Sequence, residues 1–95
     1  MSQDLPSSLT LKVVTPRRLL VDEDVQMVTI PGLNGELGIL PGHKPLLVAV
    51  GKGKLSYNRA QSSKDIAIQG GYVEILPHRV LVFTEMIKDE FNGQD

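Results

Sequence analysis

The chain contains no cysteine, so disulfides, thiolate chemistry and cysteine-ligated zinc are excluded. Tryptophan is absent too, and two tyrosines with two phenylalanines are the whole aromatic complement. Ten basic residues face eleven acidic ones, for a net charge of −1. Without a basic excess or stacking rings, a general nucleic-acid surface is not expected. Only two histidines occur, His43 and His78, and no short spacing supplies carboxylates to complete a metal site around them. The longest apolar run is Leu46 to Val50, far short of the roughly 20 residues that cross a bilayer as a helix. The polar, acidic start, Met1 to Ser8, has neither the basic nor the apolar part of a secretory signal.

Much aliphatic residue is present. Val, Ile, Leu and Phe make up 31 of the 95 residues, enough to build a core. One domain of this size buries only about 60–65% of its unfolded surface, which argues against a deep substrate cavity.

The pattern is that of strands. Leu9, Leu11 and Val13 alternate with Thr10, Lys12 and Val14 at period two. Leu19 to Val21 opens a second run. Asp22-Glu23-Asp24 reads as an acidic turn before the β-branched stretch Val25 to Ile30. Lys54 to Asn58, Asp65 to Gln69, Tyr72 to Leu76 and Val80 to Phe83 follow as further short strands, punctuated by Gly70-Gly71 and Pro77-His78-Arg79. Many short strands with Gly and Pro between them predict an all-β fold, an antiparallel sandwich or flattened barrel. Residues 1–7 read as a disordered lead, 8–85 as the sandwich, and 86–95, with Met86, Ile87 and Phe91 among acids, as a mobile tail.

Pro31 to Pro45 holds four glycines and three prolines in fifteen residues. Glycine permits tight corners and proline stiffens them, so the segment reads as an ordered presenting loop. Signatures of chemistry are missing around it. No phosphate-binding Gly-x-x-x-x-Gly-Lys-Ser/Thr occurs, and no serine sits in Gly-x-Ser-x-Gly. Lys64, in Gln61-Ser-Ser-Lys-Asp65, falls at an expected hairpin tip, as a lipoyl or biotinyl carrier requires, but its neighbours Ser63 and Asp65 do not fit those patterns. Leu46 to Val50 and Val80 to Phe83 are apolar on both faces, where an antiparallel sheet normally leaves one face to water. That excess suits an interaction module, a generic β-sandwich adaptor being one form.

Gly35-Glu-Leu-Gly-Ile-Leu-Pro-Gly-His43, followed by Pro45-Leu-Leu47, resembles the central motif of the epsilon subunit family of F-type ATP synthase. Leu9 to Pro16 is similar to that family's first strand, and Gly70 to Ile75 and Val80 to Thr84 to its closing strands. The resemblance implies a β-sandwich of about ten strands and a non-catalytic role in the rotor's central stalk, coupling proton or sodium flow to ATP synthesis. It implies no cofactor. The implied partners are the gamma subunit and the c-ring, with the membrane reached only through the ring, at the cytoplasmic face of the bacterial inner membrane. Leu33, Asn34, Gly35 and Glu36 then fall on the loop that meets the c-ring, and Thr15, His43 and Val48 on the face that meets gamma. Most members continue into a C-terminal helical hairpin used in regulation and sometimes in ATP binding, and residues 86–95 lie where it would begin. The 95 residues alone are expected to be monomeric, without ATP binding or helical inhibition.

Overall fold

Alternating burial along the strands builds the fold, which a computed structural model describes for residues 7–85. The expected tail, 86–95, and all but the last residue of the expected N-terminal lead lie outside the described residues. The strands are β1 (Leu9–Val14), β2 (Leu19–Val25), β3 (Met27–Gly32), β4 (Gly35–Ile39), β5 (Leu46–Arg59), β6 (Ser62–Leu76) and β7 (Arg79–Phe83). They form one continuous sheet in the order β2-β1-β7-β6-β5-β3-β4. Every pair is antiparallel except β1 with β7, where Thr10 stands beside Arg79 and Val14 beside Phe83 in parallel.

The sheet becomes a sandwich because its two longest strands bend. The β5–β6 ladder runs through Val50↔Gly71 and resumes at Lys52↔Gln69. At the bend Gly70 has φ +76° and Gly71 φ +119°, values open to glycine and costly for other residues. On the other side of β5, Thr29 pairs with Ser56 and the next β3 pair is Gly32 with Val50, so β5 bulges outward there. The bend folds the β3–β4 half over the β2-β1-β7 half, with β5 and β6 passing through both.

Each half sends its alternate side chains inward. Leu9, Leu11, Val13, Val73, Ile75, Val80 and Val82 from one half join Val28, Ile30, Ile39, Leu55 and Ile68 from the other in a single buried cluster. Each such side chain contributes about 1.5–3 kcal/mol when fully buried. Tyr57 closes the cluster near the β5–β6 hairpin. Burial raises its phenol pKa above the ordinary value, the Glu23 carboxylate pushes it the same way, and Arg59 opposes them.

Two expectations are corrected. The described residues hold seven strands, where about ten were expected, because the glycines at Gly51, Gly70 and Gly71 bend β5 and β6 without ending them. Asp22-Glu23-Asp24 is not a turn but the middle of β2. Asp22 and Asp24 point to solvent, Thr10 Oγ1 donates to Asp24 Oδ1 at 3.2 Å, and Glu23 meets Arg59 at 3.4 Å across the bend. Acidic side chains with outward positions and partners do not oppose a strand.

Candidate functional site

The Gly/Pro-rich segment is half strand. Pro31 and Gly32 end β3, Leu33 and Asn34 form a two-residue turn, and Gly35 starts β4 opposite Gly32. Gly35 carries φ +124°, a backbone region open to glycine and costly for other residues. A Cβ on Gly32 would stand 2.8 Å from the Gly35 carbonyl oxygen, so the two strands meet at glycine-only distance. The tip is therefore stiff. Leu33 projects from it at 68% exposure, and its Cδ2 lies 3.2 Å from where a Cβ on Gly51 would be. Glu36 is exposed at the start of β4, with no ion-pair partner among the described residues.

Val48 comes to this same place. It lies in β5 on the inward row with Leu46 and Val50, in register with buried Val73. It is half-buried, because the row reaches the open end of the sandwich just beyond it. Leu33, Glu36, Leu37, Leu46 and Val48 line one groove of about 400 Å³. Residues expected to serve two partners thus share a wall.

His43 stands apart. It follows β4 in a turn where Gly42, at φ +90°, donates its N–H to the Pro77 carbonyl at 2.7 Å, and His43 N–H donates to Leu40 O at 3.2 Å. The ring Nδ1 lies 2.7 Å from Lys44 O, so it bears the proton and donates. Because Gly42 needs its positive φ, Gly42→Ala should cost about 1–2 kcal/mol while preserving the fold. Urea unfolding checks this, and an unchanged midpoint would mean the turn relaxes freely.

Thr15 is at the far end of β7 from His43. Thr84 N–H, just past β7, donates to Val14 O at 3.0 Å, whereas the His43 turn is tied to Pro77 before β7 begins. A five-residue strand separates them, about 17 Å. Thr15 is also buried. Its Oγ1 accepts from the N–H groups of Arg17 and Arg18, both at 3.2 Å, and lies 3.3 Å from Arg18 O, to which it donates. Its side chain is spent on closing the turn 15–18, so any contact there is made by the turn it shapes.

One feature escaped the sequence reading. Ala49, Tyr72, Phe83, Val14 and Leu19 are neighbours in register across β5, β6, β7, β1 and β2, on the outer face. Tyr72 is 58% exposed and Phe83 46%. The apolar runs in β5 and β7 signalled an uncovered face, but the pairing that aligns the row is long-range. Lys64 is also relocated. The hairpin tip is Ala60-Gln61, and Lys64 pairs with Tyr57 inside the ladder, which removes the geometry of a carrier lysine. Among the described residues no three His, Asp or Glu side chains gather as a metal site, and no helix is long and apolar enough to cross a membrane.

These features define a class: a small all-β sandwich with a stiff hairpin at an apolar open end. Residues 8–89 match the family described as ATP synthase, Delta/Epsilon chain, beta-sandwich domain, and the chain belongs to that family. It is 41% identical over 81 residues to the ATP synthase epsilon chain of Lawsonia intracellularis, covering 85% of this chain and 61% of that one. Against the ATP synthase epsilon chain of Solibacter usitatus the identity is 42% over 82 residues, covering 86% and 61%. The chain thus spans about three-fifths of the length of these relatives. Among solved structures, a chain of the Euglena gracilis mitochondrial ATP synthase OSCP/F1/c-ring assembly superposes with a TM-score of 0.84 at 22% identity, covering 92% of this chain and 56% of that one. A chain of the Tetrahymena thermophila central stalk/c-ring assembly gives 0.71 at 16%, covering 92% and 75%. At those identities the likeness is one of fold.

Proposed function

We propose that this chain is the sandwich part of a non-catalytic central-stalk subunit of an F-type ATP synthase, coupling ion translocation to ATP synthesis. The match to the epsilon family over nearly the whole sandwich carries this reading. In it, the tip Leu33-Asn34-Gly35 with Glu36 meets the c-ring, while His43, Val48 and the turn that Thr15 closes meet gamma. The membrane is reached through the ring, at the cytoplasmic face of a bacterial inner membrane.

The geometry supports such a role on physical grounds. A rotating contact transmits force only through parts that do not bend, and the tip is braced by paired glycines and by Leu33 lying over Gly51. The exposed carboxylate and the exposed leucine divide the work. An exposed ion pair is worth about 0–1 kcal/mol and is screened by salt, whereas burying a leucine contributes about 1.5–3 kcal/mol that salt does not touch. Rebinding of the stalk to stripped membranes should therefore weaken about ten-fold for Leu33→Ala at any ionic strength. Glu36→Gln should lose only a few-fold at low salt and nothing at high salt. If the glutamine variant is the worse of the two at high salt, the tip does not meet the ring in this way.

A further inference from the structure

We infer that Asn34, at the tip of the β3–β4 hairpin, is a site of spontaneous deamidation that alters the free chain at its most exposed point. The reaction stands on the tip alone, and only its consequence for binding rests on the central-stalk reading. Asparagine is a thermolabile residue, attacked by the backbone nitrogen of the residue that follows it. A side chain on that residue crowds the approach, and Gly35 has none. Asn34 is exposed, and no hydrogen bond holds its carboxamide among the described residues. A Cβ built on Gly35 would meet nothing within 4 Å, so the space beside the reacting bond is open. Asn58 is the contrast. It is exposed too, but it pairs with Met27 and Ser63 inside the sheet and precedes the bulky Arg59.

The braced tip slows the reaction without preventing it. Attack needs Gly35 to turn out of its pairing with Gly32, the last pair of the hairpin. Opening one end pair at a loop tip costs far less than unfolding the sandwich. The Gly35 nitrogen then gives up its proton to solvent and bonds to Asn34 Cγ. The Cγ–Nδ2 bond breaks, Nδ2 takes a proton, and ammonia leaves a cyclic imide behind. Water reopens the ring at either carbonyl. Breaking the new Cγ–N bond yields aspartate with the normal backbone. Breaking the original peptide bond yields isoaspartate, whose main chain runs through Cβ and Cγ and is one carbon longer.

The two products act differently on the tip. Aspartate adds a second carboxylate near Glu36, which has no ion-pair partner among the described residues. Isoaspartate lengthens a two-residue turn whose strands already meet at glycine-only distance, a Cβ on Gly32 standing 2.8 Å from Gly35 O. The Gly32–Gly35 pair cannot hold that extra atom, and Leu33 loses its place over Gly51.

The chain is incubated in mildly alkaline buffer, folded or unfolded in urea, and peptide mapping follows aspartate and isoaspartate at each asparagine. Mapping separates Asn34 from Asn92, which also precedes a glycine. Folded chain should convert Asn34 within about a hundred-fold of the unfolded rate, as a local opening allows, while Asn58 stays intact. A slower folded rate would mean that the reaction waits for global unfolding, and would overturn the inference. Asn34→Gln, whose larger ring closes far more slowly, should show no conversion at position 34.

Binding tests the consequence. The isoaspartyl fraction of aged chain should rebind stripped membranes about ten-fold more weakly than fresh chain, at low and high salt alike. Aged Asn34→Gln should stay within two-fold of its own fresh sample. Fresh parent chain that fails to rebind at all would overturn the central-stalk reading and leave the deamidation standing. Isoaspartyl chain that rebinds as fresh chain does would overturn the consequence for the tip.

Discussion

Gly71→Ala is expected to abolish stable folding at ordinary temperature. The new Cβ would stand 1.8 Å from the Phe83 carbonyl oxygen, with the Phe83 carbonyl carbon and Thr84 Cα both 2.9 Å away. All three are backbone atoms of the closing strand and its exit, so no side chain can swing aside. Relief requires β6 and β7 to part where Tyr72 pairs with Phe83, next to the buried pair Val73 and Val82. The φ of +119° adds its own penalty of about 1–2 kcal/mol for any residue with a Cβ. Together these should cost about 4–5 kcal/mol or more, a large part of the 5–15 kcal/mol that holds a domain folded. Gly70→Ala is the control. Its nearest new neighbour is Val50 O at 4.0 Å, so only the cost of φ +76° applies. Urea denaturation of the two variants should differ by several kcal/mol. Equal effects would mean that β7 shifts readily and that the closure between β6 and β7 is looser than these distances imply.

That contrast also marks how far the residues alone could be read. Period-two alternation located β1, whose buried Leu9, Leu11 and Val13 alternate with the less buried Thr10, Lys12 and Val14, whereas β7 was located by its short apolar run between turn residues. It misjudged β2, where three consecutive acids look like a turn. Their outward positions come from the pairing of β2 with β1, and the Glu23–Arg59 pair depends on a strand 36 residues away in sequence. It split β5 and β6 at their glycines, since a glycine that bends a ladder and one that ends it leave the same local mark. Among the site residues, the stiff Leu33-Asn34 tip was legible from its flanking glycines. The groove was not, because Leu33 and Val48 are joined only by the skipped register between β3 and β5. Nor could the chain reveal that Thr15 is buried with its hydroxyl closing the turn, as a Thr-Pro pair suits an exposed turn equally well.

Val48→Asp should impair both folding and binding, and pH should separate the two. An outward-pointing Val48 would leave the fold intact when charged. Instead the side chain shares the inward row with Val50 and lines the groove with Leu33, Leu37 and Leu46. A carboxylate there loses water without gaining a donor, and Glu36 on the same groove adds like charge. Because Val48 is half-buried, the penalty should be partial, about 2–4 kcal/mol at pH 7. Both effects raise the folded-state pKa of the new aspartate above its unfolded value near 3.9. The destabilisation relative to the parent chain should then be full above the raised pKa and shrink as pH falls through it, leaving mainly the loss of valine packing below pH 4. Urea unfolding of variant and parent at pH 7 and pH 4 measures this directly, with gamma capture followed at pH 7. A variant as stable as the parent at both pH values, yet unable to bind gamma, would mean that Val48 faces the partner across water and does not belong to the inward row.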